Sequence, residues 1–546
     1  MRIPQWVAPA FGLAFACAVG VGPAVAIDVP RYVNEADWAG IDHRYEGGWE
    51  YFVGGGVAVF DCSGDGYPEL YFAGGVAPAA LYRNQSTLGG TLQFVPVVGQ
   101  PQLALTAVTG AYPLDLDGDD LIDLAILRVG ENVLLRGLGD CQFEMVNDAL
   151  AFDGGQAWTT AFSAVWEAGQ DLPTLAFGNY VDRAAPGAPF GTCHDNDLYR
   201  PDGLTYGPRR LLRPSYCTLS MLFSDWNRDQ VPDLRVSNDR QYYLGGSEQL
   251  WALRPGVSAR AAGRAEGWRE LKIWGMGIAS YDLTGSGLPD YFLTSMADNK
   301  LQTIEPPSFG QRLRPAFRDI AFQLGATLHR PYTDGEIMPS TAWHAEFDDV
   351  NNDGFVDLFV TKGNVEGMID FAQRDPNNLV LGQADGTFAE AAPDAGIVTF
   401  ERARGGAVAD LNLDGLLDLV VVNREAPAEV WRHDGSTLTG GGPMGNWAMI
   451  RLRQPVANRH GVGAWIEVKS GTHIWRRELT VGGGHAGGEF GWVHFGVGTA
   501  ERIEIRVQWP DGQWGPWVRA FTNQFILVDR LSETPLYWYP QRAAAG

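Results

Sequence analysis

Positive charge is scarce in this chain. Lysine is confined to Lys272, Lys300, Lys362 and Lys469, and 41 Lys plus Arg stand against 65 Asp plus Glu, a formal net charge of -24 over 546 residues. No run of Lys and Arg is longer than two. That excludes the clustered cations needed to displace counterions from nucleic acid or to hold an anionic membrane surface. Cysteine is nearly as sparse: besides Cys17 there are Cys62, Cys141, Cys193 and Cys217, none in a C-x-x-C pair, so zinc-finger and thioredoxin-type chemistry has no support. Catalytic signatures are missing too, with no G-x-S-x-G elbow and no H-E-x-x-H helix. Long apolar runs are absent except at the N-terminus. There Arg2 precedes an apolar stretch from Trp6 to Ala26, interrupted by Gly20, Gly22 and Pro23 and closing in Ala24-Val25-Ala26. This is the pattern of a secretory signal peptide, residues 1–26, rather than a membrane anchor. Export predicts an oxidising compartment and two disulfides among the four remaining cysteines. Of the three connectivities, Cys193 with Cys217 is favoured because the pair brackets one Pro/Gly/Arg-rich insertion.

What is present is a core and many turns: 45% hydrophobic residues and 12% aromatics, with 69 Gly and 32 Pro, which together imply many short strands. One acidic pattern recurs six times, with oxygen-bearing side chains at positions 1, 3, 5 and 9. The copies are Asp61, Ser63, Asp65 and Glu69; Asp115, Asp117, Asp119 and Asp123; Asp225, Asn227, Asp229 and Asp233. They continue as Asp282, Thr284, Ser286 and Asp290; Asp349, Asn351, Asp353 and Asp357; and Asp410, Asn412, Asp414 and Asp418. Their first positions lie 54, 110, 57, 67 and 61 residues apart. The double gap hides a seventh unit near Trp166–Leu175, where the apolar flanks survive and the ligand positions do not. Seven units of about 58 residues fill residues 27–435, the size expected of multi-stranded blades rather than of capped solenoid repeats.

Alternate oxygens on a tight loop are calcium chemistry, since a hard cation takes six to eight of them, and Gly66, Gly287, Gly354 and Gly415 at position 6 permit the sharp turn. An EF-hand requires a Glu at position 12 and flanking helices. Position 12 here is Phe72, Ile126, Val236, Leu293, Val360 or Val421, and each loop runs straight into a β-rich segment. The Asp115 loop offers four carboxylates and is expected to bind Ca²⁺ most tightly; the Asp282 loop, with two carboxylates and two hydroxyls, is expected to be weak or empty.

A Gly/Thr-rich linker, 436–446, ends the repeats, and residues 447–531 read as a small β-sandwich-like domain followed by a tail, 532–546. Ile503, Ile505, Val507 and Trp509 alternate with polar residues ahead of a Pro510-Asp511-Gly512 turn. Asn84-Gln-Ser86 forms an N-glycosylation sequon. His460, His485 and His494 share this last domain; they would form a transition-metal site only if their ring nitrogens met within about 4 Å of one point.

Around the loops, Trp274-Gly-Met-Gly-Ile278, Asp375-Pro-Asn-Asn-Leu379, Gly386-Thr-Phe388 and Arg404-Gly-Gly-Ala407 resemble FG-GAP/VCBS repeats of integrin-α-like propellers. In the tail, Asn458-Arg-His-Gly461, Arg477-Glu478, Gly482-Gly-Gly484, His494-Phe-Gly496, Val507-Gln-Trp509 and Asn523-Gln524 resemble the ASPIC/UnbV domain. Together they are similar to the cartilage acidic protein type of secreted protein. Gly484-His-Ala-Gly-Gly488 departs from that family, which usually has an aromatic followed by Ser-Gln. The resemblance implies an all-β, seven-bladed propeller that binds structural calcium outside the cytoplasm. The expected role is a binding or adhesion-type module with a protein or glycan partner. An extracytoplasmic propeller enzyme, or a glycan platform drawing on the 19 Trp and 18 Tyr, are the alternatives.

Overall fold

The computed structural model describes residues 28–187, 191–239, 245–307, 309–441 and 444–540; the expected signal peptide lies outside the described residues. Each acidic loop ends where a strand begins. Position 9 is the first residue of Glu69–Phe72, Asp123–Arg128, Asp233–Asn238, Asp290–Ser295, Asp357–Lys362 and Asp418–Asn423. Each of these pairs antiparallel with the strand preceding its loop. Third and fourth strands complete each sheet, as Ala80–Asn84 and Phe94–Pro96 do in the first. A further sheet of the same form, Thr159–Val165, Thr174–Asn179, Asn196–Tyr199 and Arg210–Leu212, occupies the stretch of the lost acidic copy. The last sheet borrows its outer strand from the other end of the chain, Pro30–Asn34 pairing with Glu429–Ser436.

Of the strands preceding the loops, Val57–Phe60, Val108–Leu114, Thr218–Ser224 and Ala403–Ala409 are buried along their whole length, and Gly275–Tyr281 and Ala342–Asp348 at all but one residue each. Outer strands such as Phe94–Pro96 bury one residue and expose the rest. This gradient explains the continuous apolar runs, since an inner strand has neighbours on both faces. In chain order each inner strand touches the next, and Ala403–Ala409 returns to touch Val57–Phe60, so the sheets close on themselves. Each acidic loop joins the first strand of its sheet to the second, which places all six loops on one face of this all-β, propeller-like assembly.

The C-terminal segment forms two four-stranded sheets. Asn446–Arg453 lies between Val493–Gly498 and Gln524–Asp529, and Leu536–Trp538 adds an edge strand. Trp465–Ser470 lies between His473–Glu478 and Arg502–Gln508, with Val518–Phe521 at the edge. Ile450, Ile466, Val468, Ile505, Val507 and Trp509 bury one shared core, so the alternation of 503–509 reports its inward side. The disulfides are Cys193–Cys217, as favoured, and Cys62–Cys141.

Candidate functional site

In every acidic loop the position-1 carboxylate folds its own turn by accepting backbone N–H groups from positions 4 to 6. Asp61 accepts from Gly64 and Gly66, Asp349 from Asp353 and Gly354, and Asp410 from Asp414 and Gly415. Asp115, Asp225 and Asp282 do the same. The position-5 oxygen caps the N–H two residues on, in Asp65, Asp119, Asp229, Ser286, Asp353 and Asp414. Position 9 ties the loop to its sheet. Asp357 accepts Val350 N–H at 2.8 Å and Gly382 N–H at 2.8 Å, and Asp123 and Asp418 repeat the arrangement. In the other three loops the tie differs: Glu69 takes Cys62 and Ser63 N–H on one oxygen, Asp233 takes the Trp226 indole and Arg254, and Asp290 takes Thr284 N–H.

These bonds leave oxygens over. Glu69 Oε1, Asp117 Oδ1 and Asn412 Oδ1 are shielded from solvent and have no hydrogen-bond donor, and all three stand at proposed ligand positions. An acceptor buried without a donor is costly, so a cation is the natural complement. Asp61, Asp65 and Glu69, and likewise Asp115, Asp117 and Asp123, each bring ligand oxygens within 4.8 Å of one another. The crowding has an electrostatic signature. Burial and the adjacent Asp61 push Glu69 up to about 8. Burial, reinforced by neighbouring carboxylates of the same loop, drives Asp349, Asp357, Asp410 and Asp418 well above the usual carboxylate range. Burial lifts Asp225 and Asp290 to about 6. The oxygen-only donor sets fit a hard divalent cation.

The C-terminal domain sits on this loop face. The Trp475 indole donates to Gly354 O at 2.8 Å, Arg476 lies 3.3 Å from Asp282, and Arg477 lies 2.6 Å from Asp348, which ends the strand before the Asp349 loop. Burial opposes ionisation of Asp348, but Arg477 and His494 outweigh it and hold its carboxyl below the usual value. The three histidines of this domain do not converge. His460 faces Asp115 and Asp120, His494 Nδ1 meets Asp348 at 2.6 Å, and His485 lies elsewhere. In the unit that has lost the acidic loop pattern, Glu167 is paired with Arg200 at 2.9 Å. The sequon asparagine is also accounted for: Asn84 is buried and its amide donates to Pro68 O and Leu411 O, so it presents no acceptor for a glycan.

Sequence reasoning missed the largest contact between the two parts. Between Glu478 and Val493 the chain leaves the C-terminal sheets and enters the space enclosed by the inner strands. Val481–Gly482 pairs with both Thr159–Val165 and Thr218–Ser224, and Gly488–Phe490 pairs in parallel with Val57–Phe60. Isolated bridges join Gly484 to Ile278 and Gly487 to Ala111, and Glu489 accepts Val408 N–H at 2.7 Å. His485, fully buried, accepts Gly54 N–H through Nε2 at 3.2 Å, which leaves Nδ1–H to donate to Met276 O at 3.2 Å. Gly56 and Gly110 make room: a Cβ on either would meet Ala486 O at 1.8 or 2.0 Å. The family departure at 484–488 is thus the tip of a plug. Beside it lies a cavity of about 200 Å³ of mixed lining, to which Glu346, Asp348, Arg477, Glu489 and His494 bring polar groups and Ile278, Phe347 and Phe490 apolar ones.

Comparison with known proteins agrees with both halves. Residues 454–533 match the family described as ASPIC and UnbV, and residues 349–421 match the FG-GAP-like repeat. Mouse cartilage acidic protein 1 is 28% identical over 145 residues, 26% of this chain and 20% of that protein. The human protein is 28% identical over 181 residues, 32% of this chain and 26% of that one. The chain therefore spans about a quarter or less of these curated relatives. Among solved structures, BBS1N in complex with ARL6DN is 11% identical with a TM-score of 0.40, over 74% of this chain and 96% of that one. An Agrocybe aegerita lectin recognising non-reducing terminal N-acetylglucosamine is 15% identical with a TM-score of 0.37, over 67% and 88%. Among the described residues no helix is long and apolar enough to cross a membrane.

Proposed function

For a chain that carries an FG-GAP-like repeat and an ASPIC/UnbV domain, as the resemblance to the cartilage acidic protein type implies, we propose the role of an extracytoplasmic, calcium-stabilised binding module. Its repeats form a seven-bladed propeller over residues 27–435, and its C-terminal sandwich covers the calcium face. The observation that carries the calcium reading is the set of buried, donorless oxygens at ligand positions, Glu69 Oε1, Asp117 Oδ1 and Asn412 Oδ1. Calcium at all six loops would offset 12 of the 24 formal negative charges. The two disulfides and the signal-like N-terminus support an exported protein.

The plug and the C-terminal domain occupy the centre and one face, which leaves the opposite face for a partner. The second strands of three sheets end there, at Asn179, Asn238 and Lys362, and Cys193–Cys217 ties the segment that follows the first of them. A protein or glycan docks on the segments after these strands while calcium keeps the scaffold rigid beneath them. Thermal melting with calcium and with a chelator is the test. A melting temperature that does not move refutes the calcium reading, because a ligand that binds only the folded state must raise it. Capture of an extracellular partner that is unaffected by trimming the 180–195 connection would refute the docking face.

A further inference from the structure

The Asp115 loop breaks its own repeat at position 6. Asp120 stands where four other loops have glycine, and it holds a left-handed φ of 75° that an Asp side chain adopts at a cost. Its carboxylate reaches His460, which the C-terminal domain inserts from the segment 458–461. His460 Nε2 lies 3.3 Å from Asp115 Oδ2 and 3.3 Å from Asp120 Oδ1. The three ligand atoms fall within 4.8 Å of one another. His460 is 5% exposed, yet its Nε2 makes no hydrogen bond to either oxygen. Its ring is wedged edge-on against Phe490, with centroids 5.0 Å apart, and Arg459 beside it donates to Gly118 O, so the imidazole is aimed by two anchors. Arg451 also approaches Asp120, at 3.9 Å.

We infer that Asp115, Asp120 and His460 form a mixed nitrogen and oxygen site for a zinc-class divalent cation that clamps the C-terminal domain to the second sheet. A cation about 2.1 Å from each ligand, at angles of about 90–110°, leaves ligand atoms about 3.0–3.4 Å apart, which is the spacing of the imidazole from each of the two carboxylates. The imidazole separates this site from the oxygen-only loops, since nitrogen ligands favour zinc-class ions over calcium. Asp115 belongs to both, one carboxylate serving the loop cation and the clamp. The inference does not rest on calcium filling the other loops.

Cobalt is the probe, because its visible absorption reports a nitrogen-containing ligand set and zinc displaces it. Co²⁺ is titrated into the full mature chain already saturated with calcium. One equivalent should bind with a visible band that Zn²⁺ abolishes. Affinity should fall by more than roughly 100-fold in His460→Gln and in Asp120→Gly, exceeding the loss from removing a mere supporting hydrogen bond. Asp120→Gly restores the residue of the other loops and relieves the left-handed strain, so it folds even if His460→Gln does not. A His473→Gln control should keep the band. Three results overturn the inference: no Co²⁺ bound by the wild type, which would leave His460 as an ion-pair partner only; a band that survives both variants; or binding that calcium competes away. The calcium reading fails separately, by an unchanged melting temperature in chelator.

Discussion

At the Asp115 loop the C-terminal domain presents His460 to the position-1 carboxylate; at the Asp282 loop it presents Arg476, also at 3.3 Å. The two loops share the backbone bonds from position 6 to position 1, yet one has four carboxylates and the other two. The turn is therefore built by the Asp side chain and the backbone, and needs no particular ligand count. On the proposed calcium reading, the ligand count would decide the cation: crowded carboxylates would call for an ion, whereas where they are few the guanidinium on the covering domain would balance the charge. A weak or empty Asp282 loop would follow from that difference.

Withdrawing calcium should break this comparison most widely. Each filled loop stabilises the fold by about 2.7 kcal/mol when calcium stands at 100 times its Kd. Asp115→Asn should therefore lose about that much more in calcium than in chelator, where it forfeits only the turn's bond from Asp120 N–H, whereas Asp282→Asn should melt with no calcium-dependent difference from wild type. Differential scanning calorimetry of the two variants in both buffers decides it; equal calcium responses would remove the distinction.

The cover itself depends on the plug, so the next largest effect is steric. A Cβ on Gly487 would lie 2.2 Å from Val57 O and 2.7 Å from Val57 N, backbone atoms that cannot swing aside. Gly487→Ala should cost about 3 kcal/mol or more and loosen the C-terminal domain from both loops. Limited proteolysis within 436–446 should accelerate in the variant; wild-type cleavage rates would mean that the plug does not hold the domain.

A smaller effect sharpens the comparison at the other loop. Arg476→Gln leaves Asp282 buried without its cation, a loss of about 1–3 kcal/mol in chelator. Added calcium should now recover part of it, because the position-1 carboxylate is free to take an ion. Melts of the variant with and without calcium check this; a variant indifferent to calcium would show that Thr284 and Ser286 are inadequate ligands.

The acidic turns, the strands that follow them, the sheet of the unit with lost acids and the Cys193–Cys217 pair were legible because each rests on local pattern: alternate oxygens, apolar position 12, cysteines bracketing one insertion. The plug was not. Apart from His485, the residues from Gly482 to Gly488 carry almost no side chain, so neither hydropathy nor periodicity marks their burial, and their partners are distant in sequence, 264 residues for Ser220 and Gly484 O. The signal available was indirect: Gly110 inside one apolar inner strand and Gly56 just ahead of another, which imply close backbone approach. The roles of His460 and Arg476 were hidden for the same reason, since docking of two parts leaves no spacing in the sequence.

The smallest effect is the one that reads the plug through pH. Burial depresses His485 to about 3, with Arg404 and His344 adding cationic opposition to its protonation. Its Nε2 must stay unprotonated to accept Gly54 N–H. The unfolded chain binds that proton near 6.5, so the unfolded state holds more protons between about 3 and 6.5. The stability His485 contributes is complete above 6.5 and is lost as pH falls through that window. At pH 5.5 the loss is about 1.4 kcal/mol. His433, also depressed to about 3 by burial, contributes to the same acid limb, so wild type alone cannot assign the slope. His485→Gln, which does not titrate, should lower stability at pH 7.5 and flatten the decline between pH 7 and 5 by about 1.9 kcal/mol. Denaturant melts at four pH values give the difference directly. Parallel acid limbs in the two proteins would show that His485 is protonated in place, and that the centre of the ring admits water despite the plug.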